Sequence, residues 1–252
     1  MHYFFLEGET LTGGIEVALS GEDLNHANRV LRLKAGDEIT VSDGLGRAWC
    51  GRVTLSSPEK VLAYLDSELS SSESPLRITL FQSLVKGDKM DLIVRQAVEL
   101  GVYRIVPVIT GRSIPRRDRT QDTKRVLRWR KIIRSAAAQC RRPFLTRIES
   151  AGEFRSVLPQ VEGFKTLVPW ERESAVPLRS LLEQPCPGDR AVLLFIGPEG
   201  GFNRAEIEAL ISSGAETVHL GLRILRSETA AVAVISLVQG AWGDLARGGE
   251  CN

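Results

Sequence analysis

The sequence predicts an α/β protein, with a small β-barrel ahead of a larger domain built on a mainly parallel sheet. Three observations carry that expectation. Up to about residue 66, short strand-like segments recur between glycine turns, as small barrels require. SELSSSESPL (67–76) is then a polar, serine-rich stretch ending in a proline, which reads as a linker. Beyond it, strand-like runs alternate with amphipathic helical ones, the rhythm of a parallel sheet with crossover helices. The expected domains are 1–70 and 71–252.

In the first domain, IEVAL (15–19), DEITVSD (37–43) and RAWCGRVTL (47–55) are the strand candidates, punctuated by Gly36, Gly44 and Gly46. Between the first two, Leu24, Ala27, Val30 and Leu31 fall at helical spacing. In the second domain, LRITLFQSL (76–84) is a strand. KMDLIVRQAVEL (89–100) is a helix with Met90, Ile93, Val94, Ala97 and Val98 on one face and Gly101 just past its end. YRIVPVI (103–109) is the next strand. A long basic helix follows, its buried stripe formed by Val126, Trp129, Ile133, Ala136 and Cys140. FKTLVPW (164–170), RAVLLFIG (190–197) and ETVHLG (216–221) complete the strands. RAEIEALISSG (204–214) and SETAAVAVISLVQGAW (227–242) complete the helices, with Asn203 and Ser227 as their expected N-caps.

Composition narrows the function. The chain is 43% hydrophobic and 25% charged, ordinary for a protein that buries a real core. No apolar run is long enough to span a bilayer, and MHYFFLEGETL lacks the pattern of a secretory leader, so a cytoplasmic protein is expected. Cys50, Cys140, Cys186 and Cys251 are scattered, as are His2, His26 and His219; no metal site or disulfide framework is expected. Charge is distributed unevenly. Residues 112–147 hold 13 Lys and Arg against two acidic residues, a net of +11. The rest holds 20 basic and 29 acidic residues, a net of −9, so the whole is +2. A positive field concentrated on one segment is the footprint of a polyanion partner, and nucleic acid is the expected one.

Ligands of open α/β sheets collect beyond the carboxyl ends of the strands. Three such ends carry unusual loops: VPWERES, IGPEGGFN and LGLRILRSET. The glycines of IGPEGGFN leave backbone amides open to a close ligand, although the spacing meets neither the dinucleotide fingerprint nor the P-loop. In LGLRILRSETAA, Leu220, Leu222, Ile224 and Leu225 could wall an apolar slot, and the helix beginning near Ser227 presents its positive end. Glu228 in that first turn suits the helix dipole whether or not it has a chemical role. The slot suits a flat uncharged ring better than a phosphate.

IGPEGGFNRAEIEAL followed by LGLRILRSETAA resembles the paired C-terminal signature of the RsmE family, the 16S ribosomal RNA uridine-N3 methyltransferases of the SPOUT class. The resemblance runs over nearly the whole chain. HANRVLRLKAGDEITVSDG is similar to the family's N-terminal PUA-like RNA-binding barrel. KGDKMDLIVRQAVELGVYRIVPV is similar to its first strand–helix–strand unit, and KRVLRWRKIIRSAAAQCRRP to its basic helix. The resemblance implies a PUA-like barrel joined to a SPOUT domain with a trefoil knot, S-adenosyl-L-methionine as cofactor, 16S rRNA of the small ribosomal subunit as partner, and a homodimer. One departure is Tyr3, where family members often carry an arginine; His2 or another basic residue would have to take that role.

The resemblance also implies roles. Val168, Ile196, Gly197, Glu199, Gly200, Leu220, Gly221, Leu225 and Thr229 would hold the cofactor. Arg226, Glu228, Glu171 and Arg172 are the catalytic candidates. Uridine N3 is a poor nucleophile until its imide proton leaves, so a base, an anion-stabilising cation, or both are needed. Glu171, Glu199 and Glu228 are the candidate bases and Arg226 and Arg172 the candidate cations, with Glu199 equally suited to anchoring its own loop. His26, Asn28, Arg29, Arg32, Arg112, Arg116, Arg128, Lys131, Arg141 and Arg142 would meet RNA, mainly at phosphates. Two other functions fit the residues: a non-catalytic RNA-binding ribosome-assembly factor, and a ribose 2′-O-methyltransferase.

Overall fold

The computed structural model describes residues 2–113 and 119–245. It divides into two compact units, Met1–Glu73 with Arg134–Leu145, and Ser74–Ile133 with Thr146–Asn252.

The first unit is a five-stranded sheet of β1 (His2–Phe5), β2 (Glu16–Leu19), β3 (Glu38–Ser42), β4 (Ala48–Ser56) and β5 (Val61–Glu68), in the order β1-β3-β4-β5-β2. β1 runs parallel to β3; the other pairs are antiparallel, and β4 is irregular at two points against β5. Alternation explains the burial. Val61, Ala63 and Leu65 of β5 point inward onto Phe4, Ile39 and Trp49, while Tyr64 points out. Two strands exceed the expectation. β1 is only four residues long, too short to show a period, and β5 continues to Glu68, inside the stretch expected as linker.

The expected helix over 24–31 is also altered. α1 (Gly21–Asn25) passes into a π-helical turn, His26–Leu31, which Arg32 ends in the left-handed region at φ 53°. The wider winding removes Val30 from the inward face and leaves it 66% exposed, while Ala27 stays buried. The returning segment 134–145 is tied in by two arginines. Arg134 pairs with Glu7 and Asp23, each at 2.6 Å, and lies over the Phe5 ring. Arg142 chelates Glu73 at 3.0 Å and lies over Phe144.

The second unit is a parallel sheet. Its strands are β6 (Arg77–Ser83), β7 (Arg104–Ile109), β8 (Arg147–Ile148), β9 (Gly152–Glu153), β10 (Lys165–Pro169), β11 (Ala191–Ile196) and β12 (Glu216–Val218). The order is β12-β10-β11-β6-β7-β8, with β9 also on β7. β6 and β11 lie at its centre, buried on both faces, and so read as unbroken apolar runs. The helices are α2 (Lys89–Glu99), α3 (Arg119–Gln139, whose residues from Arg134 onward belong to the first unit), α4 (Phe154–Val157), α5 (Leu178–Leu182), α6 (Arg204–Ser212) and α7 (Ser227–Trp242).

The five apolar residues expected on one face of α2 are all buried. Gln239 of α7 donates to the carbonyl of Leu100 at the end of α2, at 3.0 Å. On α3, Val126, Trp129, Ile133 and Ala136 are buried as expected, but Cys140 lies one residue past the helix and is exposed. Because β12, β10 and β11 are neighbours, the loops that follow them emerge side by side. That adjacency assembles the site.

Candidate active site

The loop after β11 is fixed from several directions. Gly201 donates from its amide to the carbonyl of Pro198 at 2.9 Å, closing a tight turn with Gly201 at φ +67°. A Cβ there would stand 2.9 Å from the Glu171 carboxylate, the movable end of an exposed side chain, so it is the left-handed backbone that calls for glycine. Asn203 caps α6 as expected: its side chain accepts from the Glu206 amide at 2.9 Å, and Glu206 accepts from the Asn203 amide at 2.8 Å. The other Glu206 oxygen accepts from the Gly111 amide at 2.7 Å. Arg112 donates to the carbonyl of Gly200 at 2.7 Å, and Ser227 donates to that of Gly197 at 2.6 Å. Ser227 also accepts from Gln82 at 3.1 Å. Ser227 therefore does not cap α7; Arg226 occupies that position without a side-chain cap, and the Ser227 hydroxyl holds the glycine loop instead.

Glu199 accepts from the Lys86 amide at 3.2 Å and faces the Lys89 ammonium at 3.4 Å. Burial pushes its carboxyl up, but hydrogen bonds from its own and the Lys86 amides, with the Lys89 charge, bring it net below the ordinary glutamate value. In the loop after β10, Glu173 accepts from Thr217 at 2.6 Å and from the Ala175 amide at 2.8 Å; these bonds likewise hold its carboxyl low. The indole nitrogen of Trp170 is buried without a hydrogen-bond partner among the described residues.

The loop after β12 is built differently. Gly221 turns it at φ +113°, its amide donating to His219 Nδ1 at 3.2 Å. Leu222 and Ile224, expected to wall an apolar slot, are 102% and 83% exposed, whereas Leu220 and Leu225 are half-buried. All four aliphatics nevertheless border the cleft between the loops, with Leu222 and Ile224 its most exposed lining.

The three loops enclose a cleft of ≈ 450 Å3. Of the expected cofactor residues, Ile196, Gly197, Glu199, Gly200, Leu220, Gly221 and Leu225 are on its wall, joined by Glu171 and Arg226. Val168 is fully buried in the apolar core beneath, Thr229 is exposed on α7, and Arg172 is exposed on its loop; none of these three is on the wall. Glu228 is not on the wall itself but lies 3.5 Å from Lys89, which is. Sequence reasoning missed Lys89, Glu173 and Trp170, all three wall residues. A signal for Lys89 existed: a cation opening a helix opposes the helix dipole and calls for an anion nearby.

The expected RNA residues fare unevenly. His26, Arg29, Arg32, Lys131 and Arg141 are exposed. Arg128 is exposed but paired with Asp88 and Asp91. The Asn28 amide is spent on the carbonyls of Ser57 and Pro58. Arg112 holds Gly200, and Arg142 is 7% exposed on Glu73, so both guanidinium groups serve the fold. Arg116 lies outside the described residues.

Comparison with known proteins identifies the family. Residues 72–239 match the RNA methyltransferase domain family, and residues 19–63 match the RNA methyltransferase PUA domain. The ribosomal RNA small subunit methyltransferase E of Bacillus subtilis is 30% identical over 88% of this chain and 88% of its own. That of Aquifex aeolicus is 30% identical over 94% and 99%. Among solved structures, the ribosomal RNA small subunit methyltransferase E of Neisseria gonorrhoeae, bound to S-adenosyl methionine, superposes with a TM-score of 0.87 at 35% identity, covering 97% of this chain and 99% of the other. A Legionella pneumophila methyltransferase in complex with the same cofactor gives 0.84 at 31% identity, covering 96% and 98%. With a PUA-type domain ahead of a parallel-sheet RNA methyltransferase domain, the chain belongs to the ribosomal RNA small subunit methyltransferase E family, RsmE.

Proposed function

We propose that this chain transfers the methyl group of S-adenosyl-L-methionine to N3 of a uridine in the 16S rRNA of the small ribosomal subunit. The observation that carries the reading is the cleft itself, where the glycine loop after β11 and the loop after β12 meet. Its volume falls within the range of roughly 300–1,000 Å3 usual for small-ligand sites. The residues fit the cofactor chemically: apolar Ile196, Leu220 and Leu225 suit a ring, Glu171 and Glu173 suit cationic groups, and the unpartnered Trp170 N–H suits an acceptor.

When bound, the cofactor supplies a methyl group on a sulfonium, open to in-line displacement. The chain's own task is to hold a nucleophile in line and to remove its proton. Glu228 is the proposed base for the imide proton of N3. Arg226, on the cleft wall at the start of α7, is the proposed cation for the charge that develops on the ring. Glu171, packed over Gly201, and Arg172 remain supporting candidates. Glu199, held low by backbone donors and Lys89, anchors its loop. The exposed His26, Arg29, Arg32, Lys131 and Arg141, with Arg128, are the proposed phosphate contacts.

The homodimer and the trefoil knot belong to the same reading. Leu222 and Ile224, which border the cleft yet stand exposed, support a second copy as their cover. No helix among the described residues is long and apolar enough to cross a membrane. A cytoplasmic location is proposed because the substrate is ribosomal RNA.

The test is incubation with methyl-labelled cofactor and small ribosomal subunits, followed by nucleoside mass analysis. 3-Methyluridine is the expected product. A ribose-methylated nucleoside would move the chemistry to the 2′-hydroxyl, and no incorporation would leave an RNA-binding factor.

A further inference from the structure

One ammonium stands between two carboxylates beside the cleft. Lys89, the first residue of α2, places Nζ 3.4 Å from Glu199 Oε1 and 3.5 Å from Glu228 Oε2. The start of a helix is the positive end of its dipole, so a lysine there is a local cost that an anion must offset. α2 has Asp88 and Asp91 at its own start, but these face Arg128; the two carboxylates beside Lys89 come from other elements, one from the glycine loop and one from the first turn of α7. The Glu228 side chain is 15% exposed, and its Oε2 is buried without a hydrogen-bond partner among the described residues. A carboxylate oxygen in that position needs a cation, and Lys89 faces it. Glu199 in turn is fixed by the Lys86 amide at 3.2 Å. A chain of contacts therefore runs from the backbone before α2, through Glu199 and Lys89, to Glu228.

We propose that Lys89 is a positioning residue for the methyl transfer: anchored on Glu199, its ammonium fixes the Glu228 carboxylate beside the cleft. The proposal rests on the reading of Glu228 as the base. Lysine suits the task because an ammonium on a long flexible stem has three donors and can serve two carboxylates at once. Lys89 acts here through Glu228 and takes no proton itself.

The test compares wild type, Lys89→Met, Lys89→Arg, Glu228→Gln and the Lys89→Met/Glu228→Gln double variant. Turnover is measured on small ribosomal subunits, and cofactor affinity by calorimetry. Lys89→Met should lower kcat roughly 10–100-fold, by analogy with loss of the hydrogen-bond partner that orients a metal ligand. Cofactor affinity should stay nearly constant, and Lys89→Arg should recover part of the lost turnover. In the Glu228→Gln background, Lys89→Met should add at most about a twofold further loss, because residues acting as a unit are not additive. The same factor in both backgrounds would overturn the proposal and leave the base assignment standing. Near-normal turnover in Glu228→Gln would overturn the base assignment, and the relay with it. Parallel losses of cofactor affinity and kcat in Lys89→Met would make Lys89 a cofactor ligand instead.

Discussion

The loops after β11 and β12 bound the same cleft, yet they are held in opposite ways. The glycine loop is closed by its own turn, by the α6 capping box, and by Arg112 and Ser227 on its carbonyls. The loop after β12 has Gly221 donating to His219 and two aliphatic side chains standing in solvent. The difference separates two tasks. A loop whose carbonyls and carboxylates are already spoken for offers fixed geometry, and such preorganisation lowers the cost of binding. A loop with exposed Leu222 and Ile224 offers surface, and gains its order from whatever covers it.

Replacing the proposed base tests whether chemistry lies at the start of α7, next to the open loop. Glu228→Gln should lower kcat by about 10²–10⁴, the usual weight of general-base catalysis, with cofactor affinity little changed. Turnover on small ribosomal subunits alongside calorimetry checks this. Next comes the contrast between two glycines. Gly201→Ala forces a left-handed backbone, costing about 1–2 kcal/mol, and also presses on the Glu171 carboxylate, so affinity should fall by tenfold or so. Gly221→Ala has the same backbone penalty, but a Cβ there meets nothing within 4 Å, and an adaptable loop should absorb much of it. Equal losses in calorimetry would mean the two loops are equally rigid.

Removing the α6 cap with Asn203→Ala should cost about 1 kcal/mol and lower Tm by about 2–4 °C in a thermal melt. The smallest stability effect is expected from Leu222→Ser with Ile224→Ser. The folded chain should change by no more than about 0.5 kcal/mol, while light scattering should show weaker self-association. A large fall in Tm instead would mean that these side chains are packed within one chain. Acid separates the loops as well. Glu199 has a lowered carboxyl value in the folded state, so its contribution is present above the ordinary 4.5 and is lost as pH falls through the lower folded value. Hydrogen exchange at low pH should open the glycine loop in that window.

Much of the fold was legible because periodicity reports burial. The α2 stripe and the central strands β6 and β11 follow directly from it, and Asn203 followed from capping chemistry. Four-residue β1 carries no period, and the π-helical turn breaks the period that Leu24, Ala27, Val30 and Leu31 display. The glycine loop and the Arg226–Glu228 segment were legible as unusual local chemistry. Which anions Lys89 serves was not, because they lie 110 and 139 residues onward in the chain, and only the fold brings them together. The basic segment overstated its free charge for the same reason: Arg134 and Arg142 look like any other basic residue until Glu7, Asp23 and Glu73 are placed against them.

The serine-rich stretch marks a change in composition but not a place to cut. The first unit is discontinuous, since Arg134–Leu145 belongs to it together with Met1–Glu73. A fragment ending at Glu73 would leave Glu7 and Asp23 without Arg134, Glu73 without Arg142, and Ser42 without the Pro143 carbonyl it donates to at 2.7 Å. Anyone transplanting this barrel onto another protein, or assaying its RNA affinity alone, would have to supply a twelve-residue tail from beyond the end of the fragment. Its connectivity makes the first unit complete only after the ribosome has synthesised more than half of the chain.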